Sequence, residues 1–329
     1  MKKISVMLTS YNLVDYIDES ISSVVNQDFP CDWELLIGDD GSNDGTIEKL
    51  KVWQSKYPEN ISYVVRDRPA TKVKDGYRAA KNRAALLDQA TGDYLIFLDG
   101  DDCWLGTEKI KTQFQILEDP ANADCSCCAH NIQAYVIPEN RKYSWESEDL
   151  PTQKFTLEKY WSYYYFHTNT ILFRKECKAL LLDELYKDHL NDTFITFLIL
   201  QFGKIYYLDK VWARYNMTGE GLWTGHKKMY GALRNVTLYD LTCLVNPSVK
   251  KNNIRRSSYA LSVLLNEFKD EDYEFIVPII QPLNPDVFKT TFLLSKKRPY
   301  TVGDKLKRFL LRVKIYRVKM FDKLHKIFS

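Results

Sequence analysis

The chain has 329 residues, of which 45% are apolar, 14% aromatic and 27% charged. That mixture suits a large buried core and excludes a disordered chain, a fibrous repeat and a small disulfide scaffold. A formal charge of +3 conceals a division: residues 296–329 hold 12 Lys and Arg against Asp304 and Asp322, which leaves the rest of the chain at −7. An acidic body argues against nucleic acid as a partner and leaves an anionic surface to the tail alone.

In chain order, Ile4–Leu8 is an apolar run of strand length, followed by the polar turn Thr9–Asn12. Val14, Ile17, Ile21, Val24 and Val25 recur at helical spacing. Trp33–Ile37 is the next strand and ends in the turn-rich Asp39–Gly45. Thr46–Lys56 reads as a helix, Ile61–Val65 as a strand, Arg78–Ala90 as a helix and Tyr94–Leu98 as a strand that stops at Asp99. Strands alternating with helices predict a parallel sheet covered on both faces, with ligands beyond the carboxyl ends of its strands.

Further on, Ser126–Val136 reads as a strand, Lys142–Leu150 as an exposed connection and Phe155–Phe166 as an aromatic-rich stretch. Thr170–Phe173 is a strand, Thr193–Phe202 an apolar helix, and Lys204–Leu208 and Val211–Tyr215 a pair of strands. Helical patterns follow over His226–Val245 and Ile254–Phe268, and the segment Pro282–Lys289 breaks the chain before its tail. Cys125, Cys127, Cys128 and His130 lack a second ligand pair at zinc spacing, so they read as small buried residues of a strand. No apolar run is long enough to span a bilayer, and Ser5, Thr9, Ser10 and Asn12 interrupt the first one too early for a signal peptide. The expectation is a cytoplasmic protein with reduced thiols.

Two acidic clusters carry the chemistry. Asp99-Gly100-Asp101-Asp102 stands at a strand end, where three carboxylates cannot be buried without a counter-charge. A hard divalent cation, Mn2+ or Mg2+, would balance them, with a substrate diphosphate supplying more oxygens. Asp39-Asp40-Gly41-Ser42 ends the neighbouring strand and suits hydrogen bonds to a base or ribose. A nucleotidyltransferase would use such carboxylates too, but would carry a glycine-rich basic loop where this chain has Thr9-Ser10-Tyr11-Asn12.

Together, Ser5–Asn12, Leu36–Thr46 and Thr91–Asp102 resemble the inverting glycosyltransferases of family 2, which have the GT-A fold. The resemblance implies an α/β fold with a Rossmann-like, mostly parallel sheet flanked by helices, and a helical C-terminal extension. It places a glycosyltransferase domain over 1–220, with a nucleotide-binding half at 1–102 and an acceptor half at 103–220. A helical extension over 221–295 and a basic amphipathic tail over 296–329 would follow. Thr9, Tyr11 and Asn12 would line the nucleotide pocket, with Asp40 or Asp39 on the base, Asp99 and Gly100 at the ribose, and Lys81 and Asn82 towards the phosphates. Asp101 would hold the metal, with Asp102 beside it. The general base would be Asp192, at the start of the apolar helix, with Asp188 as the alternative.

The chain departs from the pattern at Asn191, where the family has Glu, and at Ala213–Thr218, where no His stands in register. His167–Thr170 is placed to line the acceptor side, and Gly219–Gly225 reads as a lid carrying Trp223. Leu306, Leu310, Val313, Met320, Leu324 and Ile327 recur at helical spacing among basic residues, which predicts an interfacial helix over 303–329 on an anionic membrane. The expected donor is a nucleotide-sugar, UDP-linked, and the expected acceptor an oligosaccharide or lipid-linked glycan in surface polysaccharide synthesis. The expected location is the inner face of the plasma membrane.

Overall fold

The computed structural model describes residues 1–67, 76–143, 150–163, 165–218, 235, 238–239, 241–250 and 252–253. The chain divides into two compact units, Met1–Thr224 and Gly225–Ser329. Trp223 with its expected lid, the expected helix Ile254–Phe268 and the basic tail lie outside the described residues, as does most of His226–Val245. In the second unit, Asn253 Nδ2 donates to Tyr239 O at 3.0 Å and Thr242 Oγ1 at 2.8 Å.

The first unit begins with β1 (Lys3–Ser10), α1 (Ile17–Val25), β2 (Asp32–Asp39), α2 (Thr46–Lys56), β3 (Ile61–Val65), α3 (Gly76–Gln89) and β4 (Tyr94–Asp99). Strands β3, β2, β1 and β4 lie side by side in that order, all parallel. Both faces of β1 are buried, so its sequence is an apolar run rather than an alternation. Ile4, Val6 and Leu8 pack against Ile17, Ile21 and Val24 of α1, the apolar stripe read from the sequence.

The chain continues through β5 (Cys103–Trp104), α4 (Lys109–Glu118), β6 (Cys125–Val136), β7 (Arg141–Tyr143), β8 (Gln153–Phe155) and α5 (Leu157–Tyr163). It then forms β9 (Leu172–Arg174), α6 (Lys178–Leu181), α7 (Asp192–Ile199) and β10 (Lys204–Met217). Strand β9 runs antiparallel between β4 and β6, and β10 lies parallel to β6, which completes a ten-stranded sheet among the described residues. Cys125, Cys127 and Cys128 are buried on β6 as free thiols.

Three expectations need correction. The strand expected from Thr170 begins at Leu172, because Thr168–Thr170 closes a 3-10 turn in which Thr170 Oγ1 donates to His167 O at 2.7 Å. The apolar helix ends at Ile199 rather than Phe202. The expected strand pair at residues 204–215 is one continuous strand, β10, whose register against β6 shifts between Leu208 and Val211. The exposed pair Asp209-Lys210 sits at that shift, and the chain runs on through it as an irregularity instead of turning back in a hairpin.

Candidate active site

Parallel pairing brings Thr9 beside both Gly38 and Asp99, and Ser10 beside Asp39, so the polar clusters share one sheet edge. Thr9 Oγ1 donates to Asp99 Oδ1 at 2.7 Å. The loop after β2 braces the loop after β1. Ser42 Oγ accepts from Asn12 N at 2.8 Å, and Asn12 Oδ1 accepts from Asn43 N at 3.0 Å. Asn12 adopts a left-handed φ of 51°, which asparagine tolerates better than most residues. Tyr11 is exposed at the rim.

Asp39 and Asp40 have different duties. Asp39 is fully buried: its Oδ1 accepts from Gly41 N at 3.1 Å and Ser42 N at 2.7 Å, and its Oδ2 from Ser42 Oγ at 2.6 Å. Its carboxylate is therefore committed to shaping the loop. Asp40 is half-buried on the same turn, and its backbone N–H donates to Ser10 O at 2.9 Å.

On α3, Lys81 is exposed, and buried Asn82 donates from Nδ2 to Gly38 O at 2.7 Å. The cation among the carboxylates is Arg83, one turn from buried Ala80 and Leu87. Its Nη2 lies 2.9 and 2.8 Å from Asp99 Oδ1 and Oδ2, and its Nη1 3.2 Å from Asp192 Oδ1. Burial works against the guanidinium's charge, but Asp99 and Asp192 more than restore it.

Beyond Asp99, a side chain on Gly100 would come within 3.0 Å of Thr9 O, so the strand end stays tightly closed. Asp101 is half-buried, and burial followed by the nearby Asp99 pushes its carboxyl up to about 7. Asp102 is buried; it accepts from Asn216 N at 2.9 Å and from Asn169 Nδ2 at 2.9 Å. Burial, Asp101 and Asp99 push its carboxyl well up despite those bonds.

Asp192 opens α7, but the capping role belongs to Asn191, whose Oδ1 accepts from Phe194 N at 2.9 Å. The Asp192 carboxylate is thereby left to other partners. Tyr165 OH donates to its Oδ2 at 2.7 Å and Thr168 Oγ1 to its Oδ1 at 3.2 Å. Burial pushes this carboxyl up, but His167, Arg83 and the two hydroxyls outweigh it, so the net shift is downward. Asp188 is half-buried in the 3-10 turn Lys187–His189.

His167 is the residue that sequence reading underrated. Its Nδ1 lies 3.4 Å from Asn169 N, and its Nε2 lies 3.5 Å from Asp192 Oδ2. Tyr215 packs against the ring at a tilt of 38°, with centroids 4.8 Å apart. Arg214 turns instead to Glu19 of α1. Of the aromatic stretch Phe155–Phe166, Phe155, Tyr160, Trp161 and Phe166 are core among the described residues: Trp161 packs on Phe197 and Phe166 stacks on Tyr207. Tyr165 is the exception.

Donor atoms of Asp99, Asp102 and His167 lie within 4.8 Å of one another. Two carboxylates suit a hard divalent cation and the imidazole favours a transition ion such as Mn2+ over Mg2+, and the raised carboxyls of Asp101 and Asp102 mark a site short of positive charge. Asp101, the expected ligand, borders this trio without belonging to it.

The model of glycosyl transferase family 2 matches residues 5–181, more than half of the chain. The chain belongs to this family. Among curated proteins it is similar to a putative teichuronic acid biosynthesis glycosyltransferase, TuaG of Bacillus subtilis, with 34% identity over 134 residues, 41% of this chain and 47% of that one. The poly(ribitol-phosphate) beta-N-acetylglucosaminyltransferase TarS of Staphylococcus aureus is 31% identical over 112 residues, 34% of this chain and 18% of that one. The chain thus spans about half the length, or less, of these relatives.

Among solved structures, S. aureus TarS 1–349 in complex with UDP-GlcNAc superposes with a TM-score of 0.61 at 19% identity, covering 88% of this chain and 81% of that one. The mannosyltransferase PcManGT of Pyrobaculum calidifontis, in complex with GDP-Man and Mn2+, gives 0.55 at 17% identity, covering 97% and 87%. These likenesses show a shared fold, GT-A.

Proposed function

We propose that this chain transfers a sugar, with inversion, from a UDP-linked donor to a hydroxyl of a glycan or lipid-linked glycan in surface polysaccharide synthesis. The observation that carries the reading is the meeting of Asp192 with the strand-end carboxylates, through Arg83, at the edge where Thr9, Asn12 and Asp40 also converge. Names of the relatives support the donor and acceptor classes: TarS forms a complex with UDP-GlcNAc, and TuaG and TarS are named for teichuronic acid and poly(ribitol-phosphate).

Asp40 and Thr9 would bind the nucleoside and Asp99 its ribose. Asp101, Asp102, Asp99 and His167 would hold Mn2+ or Mg2+, which supplies positive charge for a departing diphosphate. The acceptor oxygen attacks the anomeric carbon as the bond from that carbon to the diphosphate oxygen breaks, its electron pair leaving with the diphosphate. Asp192 takes the hydroxyl proton. Its depressed pKa keeps it ionised at neutral pH, and Tyr165 and Thr168 fix the plane of its carboxylate. Among the described residues no helix is long and apolar enough to cross a membrane. The basic tail supplies attachment to an anionic lipid surface, where a lipid-linked acceptor would be found.

Calorimetry with UDP-, GDP- and dTDP-sugars, each with Mn2+ and with EDTA, tests the donor. Metal-dependent binding of a UDP-sugar is expected, and binding of none would refute the reading. Asp192→Asn should bind the same donor but transfer roughly 1,000-fold more slowly; retained turnover would pass the base role to Asp188 or another group.

A further inference from the structure

Arg83 joins the two halves of the proposed reaction. Nη2 faces both oxygens of Asp99, while Nη1 contacts Asp192 Oδ1 and donates to Leu190 O at 3.3 Å, on the segment leading into α7. A guanidinium is a rigid planar fork, so these contacts fix the separation of the two carboxylates. The other side-chain partners of Asp192 among the described residues, Tyr165, Thr168 and His167, all stand on the segment before β9. Arg83 is therefore its direct tie to the strands that carry the nucleotide cluster. Its Nε has no hydrogen-bond partner among the described residues, although buried backbone and side-chain donors are rarely left so. The side chain is held by its two terminal nitrogens, which are the atoms on the carboxylates.

We propose that Arg83 is a positioning residue that sets the Asp192 carboxylate in register with the donor held at Asp99. Proton removal from the acceptor then depends on Arg83 more than donor affinity does. Without it, Tyr165 and Thr168 still hold Asp192, but the base is no longer referenced to the sheet edge where the anomeric carbon lies. The inference rests on Asp192 being the base.

The test uses the full chain with Mn2+ and UDP-N-acetylglucosamine or UDP-glucose. Its readouts are UDP release to water and, separately, calorimetric affinity for UDP. In that reaction the water oxygen bonds to the anomeric carbon, the sugar–diphosphate bond breaks, and the proton passes to Asp192. Arg83→Met should slow release about 100-fold, the scale of an ångström-sized misplacement, with at least tenfold less effect on UDP affinity. Arg83→Lys, which keeps the charge but loses the fork, should recover part of the rate. In an Asp192→Asn background Arg83→Met should cost nothing further.

Equal losses in both backgrounds, or a loss of UDP affinity matching the loss of rate, would overturn the proposal and leave Arg83 a donor-binding or folding residue. If Arg83→Met does not fold, Arg83→Lys runs the same cycle, with a loss of roughly tenfold expected in the wild-type background alone. A wild-type chain that neither binds UDP nor releases it, or an Asp192→Asn chain that keeps its rate, would remove the reading of the site and this inference with it. Additive losses would remove only this inference.

Discussion

Asp39 and Asp40 are adjacent acids with opposite relations to solvent, and their substitutions should separate binding from folding. Asp39→Ala would strip three donors of their acceptor inside the loop, at a cost of about 3 kcal/mol measured by denaturant unfolding. Asp40→Ala should cost less stability than Asp39→Ala and should weaken nucleotide binding, which calorimetry would read. Equal effects of the two would mean that the loop does not divide its work in this way. Asp101 makes a third case. Asp101→Asn should abolish the difference between Mn2+ and EDTA in UDP binding, and a variant that kept the wild-type difference would leave the trio Asp99, Asp102 and His167 as the ligand set.

At this scale the strand-end acids were legible because each follows a short apolar run whose end the chain itself marks. Arg83 was not, because the family resemblance points to Lys81 and Asn82 just before it. A signal existed: Ala80, Arg83, Ala84 and Leu87 share one buried helical face, and a cation on such a stripe requires a buried counter-charge. Tyr165 and His167 gave less warning, since they lead into a 3-10 turn that has no long periodicity to read.

Among the elements, α3 approaches the sheet at Gly38. An ideal Cβ there would lie 2.0 Å from Asn82 Oδ1, and Asn82 also binds Gly38 O. Gly38→Ala should therefore push the start of the buried stretch Asn82–Arg83 off the sheet, destabilising the fold by roughly 1–3 kcal/mol. The same change in an Asn82→Ala background should cost distinctly less, and equal costs in the two backgrounds would argue that the helix does not lean on this glycine. Thr46–Lys56 and Ile61–Val65 hold to the residue, and most other elements begin and end within one or two residues of the apolar runs that announce them. Strand β10 does not, because a bulge and a hairpin look alike when the only cue is a polar dipeptide between two apolar runs.

For the molecule as a whole, the end of the sheet remote from the site is tied by a carboxylate. Glu34 accepts from Lys3 Nζ at 2.6 Å, Ser5 Oγ at 2.5 Å and Thr91 N at 2.8 Å, which joins β2 to the starts of β1 and β4. Burial pushes its carboxyl up, but Lys3, Ser5 and Thr91 prevail and leave it below the usual 4.5. A depressed folded pKa gives stability that is complete above the unfolded value and fades as the pH falls through the folded one. Glu34→Gln should thus lower stability at pH 7 by about 2 kcal/mol and flatten the loss seen on acidification below about pH 4.5. Melting curves between pH 7 and pH 3 would show it, and parallel curves for the two proteins would refute it.

The irregularity of β10 has a practical side. Asp209 and Lys210 are exposed in mid-strand, upstream of the backbone N–H by which Asn216 holds Asp102. A fluorophore on a cysteine introduced at Lys210 would ride on the strand that anchors the site without entering it. Of the seven native thiols, five are buried and only Cys31 and Cys243 are half-exposed, so replacing those two would leave a single labelling handle for following ligand arrival by emission.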